Sequence, residues 1–92
     1  MEYLSSEPRI IQMKKSIHSS EQKDLQDLLR KLRIEAGLCQ SDLARVLDRS
    51  QSFVSKYEAG DRCLDILELR SVCKALGTSL PEFIKTFEKI IS

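Results

Sequence analysis

Two short stretches with a helical apolar period lie between Gly37 and Gly60, and only three residues, Asp48, Arg49 and Ser50, separate them. The first, from Gln40 to Leu47, spaces Leu43, Ala44 and Leu47 along one face, and the second, from Gln51 to Glu58, does the same with Val54 and Tyr57. Isolated helices this short are marginal in water, so the pair must be held on a scaffold made by the rest of the chain. Ser50 is predicted to cap the second segment through its hydroxyl, and Gly60 marks its exit.

The flanking sequence supplies that scaffold. From Glu21, Leu25, Leu28, Leu29, Leu32 and Ala36 recur at helical spacing until Gly37 stops the helix. Asp65 and Glu68 have the spacing of a capping box and open a fourth helix, expected to bury Ile66, Leu69, Val72, Cys73 and Leu76 before Gly77. Ser79 and Glu82 repeat the device for a fifth, with Pro81 tolerated in its first turn. Five helices and no strand signal define an all-α fold. Its 92 residues are enough for one domain and too few for two. Residues 1–20 lack a clear period and are read as an N-terminal arm, either flexible or a short helix, that offers Ile10, Ile11, Met13 and Ile17 to a partner; residues 21–92 form the domain.

Composition narrows the function. The net charge of +1 gives little overall attraction to phosphate, so local charge must serve instead. Between Arg49 and Tyr57 there are two basic residues, Arg49 and Lys56, and no acidic one, which marks a nucleic-acid face. No apolar run approaches the roughly 20 residues that cross a bilayer, and Glu2 and Glu7 stand where a signal peptide would be basic, so a cytoplasmic location is expected. The cysteines Cys39, Cys63 and Cys73 are odd in number and lack C-x-x-C pairing, which argues for reduced, mostly structural thiols and against a disulfide framework or zinc site; no metal or cofactor is expected. His18, the one histidine, falls in the arm, and no catalytic set is visible, so the chain is not read as an enzyme.

A short helix held by three others presents its N-terminus and outer face, a shape that the major groove, about 12 Å wide, admits. The stretch from Leu29 to Ala44, LRKLRIEAGLCQSDLA, followed by Ser50 to Gly60, SQSFVSKYEAG, resembles the Xre-type, lambda-repressor-like helix-turn-helix proteins of bacteria and phages over roughly Leu25 to Phe83. The resemblance implies a compact five-helix DNA-binding domain whose second and third helices form the helix-turn-helix. It also implies sequence-specific binding of double-stranded DNA by a transcriptional regulator, with repression the expected sense. By the same resemblance Gln40 anchors a phosphate, Gln51, Ser52, Ser55 and Lys56 face the groove, and Arg33 pairs with Glu58 inside the fold.

The side-chain chemistry agrees with those roles. Glutamine pairs with two edges of adenine, serine donates or accepts, and lysine suits guanine or a phosphate. Arg49 and Arg62 flank the third helix and suit phosphate contacts that position without reading sequence. Phe53 has two readings of equal weight, contact with a thymine methyl or sugar and packing on the scaffold. Cys39 departs from the family pattern, in which serine or threonine caps the second helix. The expected loss is about 1 kcal/mol, partly offset by Asp42 near the positive helix end, and a tolerated small residue is preferred to a redox sensor.

Leu80, Phe83, Ile84, Phe87, Ile90 and Ile91 make the fifth helix strongly apolar. Leu80, Phe83 and Ile84 are expected in the core. Phe87, Ile90 and Ile91 are assigned to a homodimer interface that would set two third helices roughly 34 Å apart, on a near-palindromic operator. Two alternatives of the same DNA-binding class stay open. One is an antitoxin-type protein that also captures a protein partner through the arm or fifth helix; the other is a restriction-modification controller.

Overall fold

Side-chain caps set where the helices begin. The computed structural model describes residues 19–92, and α1 (Ser20–Glu35) starts behind Ser19, whose hydroxyl accepts from the Gln22 N–H at 3.1 Å. Next come α2 (Gln40–Leu47), α3 (Gln51–Ala59), α4 (Ile66–Ala75) and α5 (Leu80–Ile91). The expected capping box forms at α4: Asp65 Oδ1 accepts from the Glu68 N–H at 2.7 Å while Glu68 Oε1 accepts from the Asp65 N–H at 3.0 Å. Two orphan backbone donors are thereby satisfied. At α5, Ser79 accepts from the Glu82 N–H at 3.3 Å. Ile10, Ile11, Met13, Ile17 and His18 lie outside the described residues.

The α2–α3 turn is built on a residue other than glycine. Asp48 ends α2 in the left-handed region, with φ 58° and ψ 43°. Its short polar side chain makes that conformation less costly than it is for most residues. The reversal lets the Arg49 N–H reach the Ala44 carbonyl at 2.9 Å. Ser50 does not cap α3 with its side chain as expected; its hydroxyl instead meets the Ser52 hydroxyl at 3.1 Å.

The core is assembled from all five helices. Leu28 and Leu29 of α1, Leu43 and Ala44 of α2, and Val54 and Tyr57 of α3 pack with Val72 and Cys73 of α4 and Phe83 of α5. Each such large side chain withdrawn from water contributes about 1.5 to 3 kcal/mol. Helix α3 packs against both α1 and α2, α4 supports α2, and α5 closes against α4 and α1. Gly60 ends α3 at φ 85°, close enough to the Gln26 side chain that a Cβ there would collide with it.

Three core expectations are corrected. Ile66 is 60% exposed, because it occupies the first residue of α4 ahead of the turn that packs. Ile84 is 40% exposed: burying Phe83 turns the next residue about 100° away, to the edge of the stripe. Ala36, the C-cap of α1, is also exposed. Of the three thiols only Cys73 belongs to the core, whereas Cys39 and Cys63 are exposed. Among the described residues no helix is long and apolar enough to cross a membrane.

Candidate nucleic-acid interface

Helix α3 has two chemically distinct sides. Phe53, Val54 and Tyr57 are 6%, 0% and 2% exposed and lock one side into the core. Residues four apart lie on one helix face, so Gln51 stands over Ser55 and Ser52 over Lys56 on the other side. Gln51, Ser52 and Lys56 are exposed and Ser55 is half-buried. The four residues singled out in the sequence are therefore brought onto one outward surface, which carries a single positive charge and no carboxylate.

The C-terminal end of α3 is fastened by a buried polar network. Arg33 Nε donates to Glu58 Oε2 at 2.7 Å and Arg33 Nη2 to Glu58 Oε1 at 3.1 Å, a two-pronged pair that joins α1 to α3. Arg33 Nη1 also donates to the Leu38 carbonyl at 2.8 Å, which ties down the loop before α2. Gln40 Nε2 donates to Glu58 Oε1 at 3.0 Å. The Gln40 side chain, assigned from sequence to a phosphate, thus braces α2 against α3 in the free protein.

Phe53 anchors the other end. Its ring meets Tyr57 edge-on, with centroids 5.4 Å apart at 74°, and the guanidinium carbons of Arg49 and Arg62 sit 3.9 Å and 4.7 Å from its centroid. Of the two readings of Phe53, packing on the scaffold is the one realised, because these cations and the core cover the ring. Arg62 is also corrected. Its Nη1 and Nη2 donate to the two oxygens of Glu68 at 2.9 Å and 2.8 Å, so its fork is occupied within the protein rather than open to phosphate. Those bonds from Arg62, with help from the Asp65 N–H, hold the Glu68 carboxyl down at about 2.

The sequence from residue 29 to residue 83 matches the helix-turn-helix family HTH_3, more than half of the chain. An XRE-family like protein from Pseudomonas syringae pv. tomato str. DC3000 is 38% identical, superimposes with a TM-score of 0.77, and is matched over 87% of this chain and 98% of its own. This chain belongs to the Xre-type helix-turn-helix family. Another similar structure is the restriction-modification controller protein C.Esp1396I, solved as a tetramer in complex with its natural 35-base-pair operator. It is 28% identical, with a TM-score of 0.71 and coverage of 78% of this chain and 95% of that one. The clp gene regulator ClgR from C. glutamicum is 28% identical, with a TM-score of 0.66 and coverage of 75% and 88%. No curated protein matches the chain.

Within the helix-turn-helix unit, α2 and α3 are the two motif helices. At the start of α2 Cys39 makes no capping hydrogen bond with its side chain. Asp42 takes part of that task, since its Oδ2 accepts from the Cys39 N–H and from the Cys39 thiol, both at 3.1 Å. These bonds hold the Asp42 carboxyl below its ordinary value. On α5, Ile90 is 47% exposed, Ile91 is half-buried, and Phe87 packs partly against the core. Glu68 is the site residue that sequence reasoning missed: it was read only as half of a capping box. Its second role depends on a contact with Arg62 across the α3–α4 loop, which no helical period announces.

Proposed function

We propose that this protein is a transcriptional regulator that binds double-stranded DNA by laying α3 in the major groove. The observation that carries the reading is the free outer face of α3, with Gln51, Ser52 and Lys56 exposed on a helix whose other side is immobilised in the core. Gln51 has the donor and acceptor needed for adenine, the serines adapt to several base edges, and Lys56 supplies charge to guanine or a neighbouring phosphate. Arg49 and Gln40 contact the DNA backbone and fix the register. The regulator acts in the cytoplasm as a homodimer on a near-palindromic operator, with Phe87, Ile90 and Ile91 at the interface.

Among regulators of this class, a restriction-modification controller is the second reading. It is supported by structural likeness at 28% to 30% identity to the wild-type controller C.Esp1396I and its variants. Either protein must retain particular duplexes from a random pool at fixed salt; one that retains none is not a regulator of this kind.

A further inference from the structure

Two arginines crowd one carboxylate beside the N-terminus of α3, and the carboxylate does not treat them alike. Glu68 Oε1 accepts from Arg62 Nη1 at 2.9 Å and from the Asp65 N–H at 3.0 Å, and Oε2 accepts from Arg62 Nη2 at 2.8 Å. Arg49 comes no nearer than 3.6 Å to Oε2, beyond a good hydrogen bond, and otherwise rests on the Phe53 ring. The Arg62 fork is saturated, with a further bond from Nη1 to the Cys63 carbonyl at 3.2 Å. Arg49 keeps its hydrogen-bonding capacity, and its side chain is 41% exposed in the turn that leads directly into α3.

We propose that Glu68 decides which of the two arginines meets the DNA backbone: it commits Arg62 to the protein and leaves Arg49, parked on Phe53, as the cation that transfers to a phosphate. The cluster carries two positive charges and one negative, so a single cation is left over for the duplex. An Arg–phosphate fork is charge-assisted and directional, whereas the contacts that Arg49 gives up are a long ion pair and a ring face, both partly in water. Glu68 is therefore a positioning residue. It also limits attraction to arbitrary sequence, because releasing Arg62 would add a phosphate contact that carries no base information. The inference rests on the duplex-binding reading above.

The test is the salt dependence of binding to a duplex selected from a random pool by the wild-type protein, and to a scrambled duplex of equal length, from about 50 to 200 mM KCl. Each lost phosphate contact makes the log–log slope shallower by about 0.9. Arg49→Gln loses about that much per half-site. Arg62→Gln loses a similar amount indirectly, because Glu68, deprived of its partner, captures Arg49. Arg62→Gln combined with Glu68→Gln returns the slope to the wild-type value, a rescue that repair of folding alone would not give; thermal melts of every variant confirm that each is folded. Glu68→Gln alone steepens the slope and tightens binding to the scrambled duplex. The proposal is overturned if the double variant keeps the loss, which would make Arg62 the phosphate ligand, or if Arg49→Gln leaves the slope unchanged. A wild-type protein that binds no duplex would instead remove the DNA-binding reading itself.

Discussion

Arg33 and Glu58 meet across the α1–α3 junction with side chains only 9% and 4% exposed. The motif helix is thus fixed to the scaffold by a paired, desolvated charge. Removing one partner strands the other, a loss of about 3 to 5 kcal/mol, whereas replacing both with apolar residues of similar size costs much less. Glu58→Ala should lower unfolding stability by that amount in urea titrations, and Arg33→Met with Glu58→Leu should recover most of it. Equal losses in the single and double variants would show that the pair is not acting as a unit.

The Glu68 carboxyl titrates at about 2 in the folded protein against an ordinary 4.5, chiefly through its bonds from Arg62. A carboxyl depressed by folding contributes stability above its unfolded value, and that contribution disappears as pH falls through the folded value. Stability should therefore decline between about pH 4.5 and 2. In Glu68→Gln this part of the decline should be missing when both proteins are unfolded by urea across that range. Parallel curves for the two proteins would contradict the assignment.

Tyr57 is buried in the core, and its hydroxyl has no hydrogen-bond partner among the described residues. Burial also pushes its ionisation above the usual phenol range. Deleting an unpaired buried hydroxyl removes a desolvation penalty, so Tyr57→Phe should leave stability unchanged or raise it by about 1 kcal/mol. A clear loss in thermal or chemical denaturation would reveal a bond to the hydroxyl.

The helices themselves were largely legible from sequence. Asp65 with Glu68, Ser79 with Glu82 and the closing glycines are local signals, and local signals place helix ends well. What stayed hidden was tertiary. Whether Phe53 points to DNA or to the core depends on where the turn puts Arg49 and the α3–α4 loop puts Arg62, and Ile66 and Ile84 follow an apolar pattern that the actual packing does not use. The Gln40 side chain illustrates the same limit: its bond to Glu58 joins residues that are distant in sequence.

The apolar surplus of α5 bears on assembly. Ile90 is 47% exposed near the end of a helix whose Phe83 is fully engaged in the core. Ile90→Glu should leave the helical content and melting of the monomer fold intact while converting a dimer at tens of micromolar to a monomer in sedimentation experiments. Identical sedimentation of the wild-type and variant proteins would exclude Ile90 from the interface.

The role of α3 in reading bases is tested most directly by repeating selection of duplexes from a random pool with wild-type protein and with Gln51→Ala, at one stated salt concentration. The account predicts that the wild type enriches a near-palindromic sequence and that the variant loses preference at one base pair in each half-site, a change of about 1 to 3 kcal/mol at that position. An unchanged preference, with or without uniformly weaker binding, would contradict it.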